Sequence, residues 1–349
     1  MTRNDLLHKL IVMDKEDRVV NLGRTGRRRL LLVTIAMLSA LLVPLLSCAA
    51  GITFPDSHLE EAIRTALDRP MGEITSADLQ SLTSLFASGK GISDLTGLQE
   101  CTALQYVDLS DNHISDLSPL SRDHEIEVLL LQSNEITNVE PLSGLMNLTK
   151  LNLDFNSVLD IAPLADLTHL RWLGLWDCRV SDISALRNMP DLITLGLGGN
   201  PLADIAPLAN LVHLYWLGLP NTGISDLTAL QGLSGLLKLS LGGNKIRDLA
   251  PLSGLTRLQG LGLGDNEIED LHPLAHLTRL QRLSLWGNKI SDITPIADLV
   301  DLEQLWLDGN HISDIAALSG LVQLRLLGLG NNQIEDLSPL ISNEGLGDG

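Results

Sequence analysis

From residue 82 onward the sequence returns to the same register every 22 residues. No other feature constrains the chain as tightly, because a fixed period of this length predicts a stack of like units. The register is carried by one position, filled by Lys90, Asn112, Asn134, Asn156, Cys178, Asn200, Thr222, Asn244, Asn266, Asn288, Asn310 and Asn332, with no insertion or deletion. A unit this short buries no core of its own. Twelve of them therefore predict a solenoid whose coils share one continuous interior.

Each column within the unit has a physical task. Three and five residues before the register position stands Leu, as in Leu195/Leu197 and Leu261/Leu263, with Ala87 and Val107 as exceptions. A spacing of two is strand spacing, with both side chains on one face. Ile or Val two residues after the register position (Leu202 once), and Leu, Ile or Val five after it, fill the same core from the turn. Asn at the register position has an amide that satisfies backbone groups where the chain bends, and stacked copies predict a ladder; Cys178 and Thr222 are weaker substitutes. Four residues after it stands Asp in eleven of twelve coils, Asn138 being the exception. A row of carboxylates raises the question of divalent cations. Coils stack at about 5 Å, so these charges repel one another, and the local reading is preferred: each Asp accepts backbone N–H bonds at the start of a short turn.

The second half of the unit, as in "NKISDITPIADL" (288–299) and "NEIEDLHPLAHL" (266–277), resembles bacterial leucine-rich-repeat proteins of the internalin type over residues 82–341. The resemblance implies an α/β solenoid, a leucine-rich-repeat horseshoe of about 12 coils lined by a concave parallel β-sheet. It also implies a non-enzymatic recognition protein with a protein partner. Residues 51–81 lie outside the repeat and predict an N-terminal helical cap: Asp56 is placed as N-cap, Leu59, Ile63, Ala66 and Leu67 fall at helical spacing, and Thr75 with Asp78 forms a capping box. The repeats then occupy 82–349. No C-terminal capping helix is legible, so the last coil is expected to fray or to continue into a longer chain.

Residues 1–50 differ in kind. Residues 1–29 carry eight Lys/Arg against four Asp/Glu, Leu30–Leu46 is uncharged and apolar, and Ser47-Cys48-Ala49-Ala50 follows. A basic head, an apolar run and small residues read as an export signal. Leu45-Leu46-Ser47-Cys48 resembles a bacterial lipobox, which implies lipidation at Cys48 and attachment to the membrane. An uncleaved anchor is the competing reading, and both place residue 51 onward on the outer face of the cell membrane. Without residues 1–29 the chain holds 16 Lys/Arg and 39 Asp/Glu, a net of −23. Such acidity argues against nucleic acid as a partner.

Chemistry-bearing clusters are missing from the sequence. No Ser/His/Asp set, phosphate loop or grouped catalytic carboxylates is legible, and no cofactor or metal is expected. His272 and His276 have helical metal-pair spacing, but the repeat puts them in a turn at Pro273. Cys101 falls in a core column and Cys178 in the Asn column, three to four coils apart and beyond disulfide reach.

The tryptophans point elsewhere. Positions six, four and two before the register residue alternate with the core leucines and so face out of the sheet, onto the concave surface. Trp172, Trp176, Trp216, Trp286 and Trp306, which are all five tryptophans, occupy such positions, and Tyr106 and Phe86 join them. Nine glycines share the two positions nearest the register residue and are expected to leave backbone bare beside the rings: 174, 196, 198, 218, 242, 262, 264, 328 and 330. The face reads as a trough with aromatic islands at coils 5–7 and 10–11. Trp172, Trp176, Trp216, Trp286, Trp306 and Tyr106 are the candidate ligand contacts. A protein ligand is the leading expectation and a cell-wall or other polysaccharide the second. A spacer, the targeting region of a larger enzyme, and an intracellular repeat protein resembling regulatory subunits of protein phosphatases are the remaining alternatives.

Overall fold

A computed structural model describes residues 52–341 and 343. The export signal, Cys48 and the apolar run at 30–47 lie outside the described residues. The cap and the repeats belong to one compact unit, Gly51–Gly349.

Each coil contributes one three-residue strand: β1 (Ser84–Phe86), β2 (Tyr106–Asp108), β3 (Val128–Leu130), β4 (Lys150–Asn152), β5 (Trp172–Gly174), β6 (Thr194–Gly196), β7 (Trp216–Gly218), β8 (Lys238–Ser240), β9 (Gly260–Gly262), β10 (Arg282–Ser284), β11 (Gln304–Trp306) and β12 (Leu326–Gly328). The twelve form one open parallel sheet in sequence order. Every partner lies 22 residues away, as in Trp172↔Thr194 and Gly260↔Arg282. The chain returns through a short 3-10 turn in each coil, commonly with Pro at its second residue, as in Ala162–Leu164.

The register that the repeat fixed in sequence is enforced by hydrogen bonds. The Asn200 amide donates to the Leu175 and Leu197 carbonyls and accepts from the Cys178 and Val180 backbone N–H groups of the preceding coil. The Asn ladder thus runs from side chain to backbone rather than from Asn to Asn. Cys178 keeps part of this role, its thiol donating to the Leu153 carbonyl at 3.0 Å. The acidic row is local, as expected: in all twelve coils the Asp, or Asn138, accepts from the backbone N–H two residues on, at 2.8–2.9 Å. One column escaped the sequence reading. The residue just before each register position has positive φ in every coil, including Phe155 at 58°.

At the N-terminal end, α1 (Ser57–Ala66) and α2 (Ser76–Leu79) cover the first coil. Asp56 caps α1 through His58 and Leu59, and Thr75 and Asp78 close the capping box. Leu59, Ala62 and Ile63 are buried, whereas Ala66 faces solvent, so Ala62 takes the place that spacing gave to Ala66. At the other end a single turn, α3 (Ser338–Ile341), follows the twelfth register position. Asn343 stands where most earlier coils hold Leu, and its amide donates to the Leu318 and Leu321 carbonyls. No helix among the described residues is long and apolar enough to cross a membrane.

Candidate functional site

The concave face is where alternation sends the side chains that the core excludes. Trp172 and Trp216 open β5 and β7, and Trp306 closes β11; Trp176 and Trp286 lie two residues past their strands. All five are half-buried or exposed, with Trp286 the most open at 44%.

Their setting overturns one expectation. Most of the glycines do not leave backbone bare, because the indoles already lie on them. A Cβ at Gly196 would collide with the indole nitrogen of Trp176, and one at Gly198 with its six-membered ring. At Gly218 it would stand 2.6 Å from Trp216 and 3.1 Å from Trp176; at Gly174 it would stand 2.8 Å from Trp172. Gly264 is covered in the same way by Trp286, and Gly328 by the Asp308 carboxylate. These glycines are seats. Lacking side chains, they let the Trp176 ring extend across Gly196 and Gly198 and the ring edges of Trp172 and Trp216 close on Gly174 and Gly218.

Seating links the first island into a platform. Trp176 reaches from coil 5 across coil 6 toward Trp216, with ring centroids 6.4 Å apart and planes at 31°. Lys150 of β4 sits 4.8 Å above the Trp172 ring, a cation–π contact that extends the platform by one coil. Asp154 supports it from below: its carboxylate accepts from the Trp176 backbone N–H at 2.7 Å. Burial pushes the Asp154 carboxyl above its ordinary value; bonds from Trp176 and Asn152 pull it back and the Asp177 charge adds to the rise.

The second island does not form. Trp286 and Trp306 make no ring contact and face different hollows. Trp306 walls a depression of about 220 Å³ whose opposite wall is Trp216, while Trp286 borders a neighbouring one of about 300 Å³ over Gly242 and Gly264. Tyr106 is not brought to the platform. It stacks on Phe86 at 5.0 Å, three coils away at the capped end. Tyr215, 44% exposed, was missed: it borders a flanking hollow of about 620 Å³ with Arg171, His213 and Arg257. Its signal was its place beside Trp216, one residue before the alternating positions.

Cys101 and Cys178 are buried free thiols, and burial pushes both up to about 12. His272 lies in a 3-10 turn, with Nδ1 2.6 Å from the Asp270 carboxylate.

A family model described as leucine-rich repeats in two copies matches residues 80–122, 124–166, 168–210, 256–299 and 300–342. Among solved structures, the internalin InlF of Listeria monocytogenes is 34% identical, with a TM-score of 0.75 over 84% of this chain and 94% of that one. A leucine-rich-repeat protein of Leptospira interrogans shares the fold at 22% identity and a TM-score of 0.64, covering 78% and 84% of the two chains. The Arabidopsis receptor kinase HAESA, solved with a peptide hormone and a co-receptor, shares it at 21% and 0.63, over 72% of this chain and 46% of that one. No curated protein matches the sequence. The repeat, the open parallel sheet and these likenesses agree: the chain belongs to the leucine-rich-repeat family, among bacterial proteins of the internalin type.

Proposed function

We propose that this is a non-catalytic recognition protein, displayed at the cell surface, that binds a protein ligand on its concave sheet with Trp172, Trp176 and Trp216 as anchors. One observation carries the reading: the three indoles are already packed against glycines of the sheet, Trp176 across Gly196 and Gly198 and the ring edges of Trp172 and Trp216 at Gly174 and Gly218. Rings already ordered lose little entropy on binding, and large rigid aromatics dominate the energetics of protein interfaces. Membership among internalin-type proteins supports a protein partner, and the basic head and apolar run of residues 1–47 support export.

The test uses the intrinsic fluorescence of the full-length protein, since all five tryptophans stand at concave positions. It is titrated with purified candidate surface proteins and, in parallel, with cell-wall polysaccharides. A saturable change with a protein, weakened by about 30-fold or more in Trp176→Ala as expected of a central anchor, supports the proposal. Binding confined to the polysaccharides would transfer the platform to sugar rings. No response from either panel, with the protein shown folded by circular dichroism, would leave a spacer.

A further inference from the structure

The concave face holds two kinds of glycine. Those beneath the indoles have no room for a Cβ, but Gly260 and Gly262 do: the nearest atoms to a Cβ there lie 3.8 Å and 3.6 Å away. Among the described strands, β9 alone has glycine at both ends, so it forms the open floor of the 220 Å³ depression between Trp216 and Trp306. Over that floor lean two cations. The position of a Gly260 Cβ is 3.8 Å from the Lys238 stem and 3.9 Å from the Arg282 guanidinium, which approach from the strands on either side. Neither makes an ion pair or hydrogen bond with a described residue. The outward positions of coils 7–10 hold no acid, and Asp308 of coil 11 is turned toward the twelfth coil, over Gly328 and accepting from the Gly330 N–H. Two neighbouring cations without an ion pair, set in an otherwise acidic molecule, make this depression complementary to an anion.

We infer that this depression is a subsite for the acidic side chain of an extended polypeptide, its carboxylate held over Gly260 by Arg282 and Lys238 and its flanking residues stacked on Trp216 and Trp306. A guanidinium offers a carboxylate two parallel N–H bonds, and an ammonium adds a third donor. The two walls are four strand spacings apart, about 19 Å, which an extended chain crosses in five or six residues. The volume suits a side-chain anchor rather than a whole small molecule. A neutral sugar is less well served: it would leave the charges of Lys238 and Arg282 unmatched, and because the β9 backbone is already bonded to β8 and β10, Ser240 and Ser284 are the uncharged hydroxyl partners in the lining. The inference rests on the concave-face reading and adds the chemistry of the ligand.

The probes are octa-L-glutamate, octa-L-glutamine, trigalacturonate and inorganic phosphate, titrated into the full-length protein and read by tryptophan fluorescence. Octa-glutamate is expected to saturate at least tenfold more tightly than octa-glutamine and to weaken as salt rises. Lys238→Gln and Arg282→Gln should each lose about tenfold, and Lys245→Gln, an exposed cation on the turn after Asn244, should lose nothing. Equal binding of the two peptides, an equal loss in Lys245→Gln, or tighter binding of trigalacturonate or phosphate overturns the subsite. If a protein ligand needs Trp176 but is unaffected by Lys238→Gln and Arg282→Gln, the subsite falls and the concave-face reading stands. If octa-glutamate behaves as expected while no candidate surface protein binds, the subsite and the concave face stand and the surface-protein part of the broader reading fails.

Discussion

Asp123 stands in a core column that other coils fill with Leu145, Leu167, Met189 or Leu211. It is fully buried, and neither carboxylate oxygen has a partner among the described residues. Burial pushes its carboxyl up to about 7. The sign follows: at pH values between the unfolded 3.8 and this value the folded chain holds a proton that the unfolded chain has released, so stability falls as pH rises through that window and levels above it. The shift corresponds to at most about 4 kcal/mol. Asp123→Leu is therefore expected to raise the unfolding free energy by about 2–4 kcal/mol at pH 8 and by less at pH 4, read from urea curves at both. Equal gains at the two pH values would count against an ionised, unpaired carboxylate. The sequence reading did not single this residue out, although the 22-residue period aligns it with Leu145, Leu167 and Leu211; that both oxygens lack partners required the packing. Phe155 is a second such case. Its column is otherwise mostly Gly, Asp and Asn, a composition that signals left-handed backbone, but only the φ of 58° shows that a large aromatic is held there.

At the scale of elements, Asp56 ties α1 to the first coil. One carboxylate oxygen caps the helix through His58 and Leu59; the other accepts from the Ser93 and Asp94 backbone N–H groups of the coil it covers. Burial acts to raise its carboxyl, but these four bonds outweigh burial and hold it below the ordinary value. The stabilisation is thus present above the unfolded pKa and lost as pH falls through the folded one. Asp56→Ala should cost about 1–2 kcal/mol at pH 7, with faster amide exchange concentrated in α1 and β1. Uniform exchange along the solenoid would mean that the cap is not held by this residue. The sequence placed Asp56 correctly as an N-cap because capping is local. Its bonds to Ser93 and Asp94 span 37 and 38 residues, and no local pattern announces them.

In the whole molecule each strand pairs with the strands of adjoining coils, and the coils add up as nearest neighbours. Deleting residues 135–156, one complete 22-residue unit, joins Asn134 to Ser157 in register. Such a variant should remain cooperatively folded, with a modest drop in midpoint and m-value, by thermal and urea denaturation. Deleting 52–81 instead strips the apolar side of the first coil of Leu59, Ile63 and Leu79, and β1 should lose its exchange protection first. If the internal deletion abolished the cooperative transition, stability would have to reside in contacts between distant coils.

The sequence by itself determined the solenoid, its twelve strands, the core columns, the Asp turns and the concave placement of all five tryptophans. It could do so because strand alternation and turn capping are local, and repetition imposes each local solution on every coil. The tertiary structure decided what the concave face offers. An indole is longer than the roughly 5 Å between coils, so where Trp176 and Trp286 settle depends on residues 20 or more positions away: Trp176 rests on Gly196 and Gly198, and Trp286 on Gly264, whereas Trp172 and Trp216 meet Gly174 and Gly218 of their own strands. Glycines that look alike in sequence thus become filled seats in one coil and, at Gly260 and Gly262, an open floor between two cations in another.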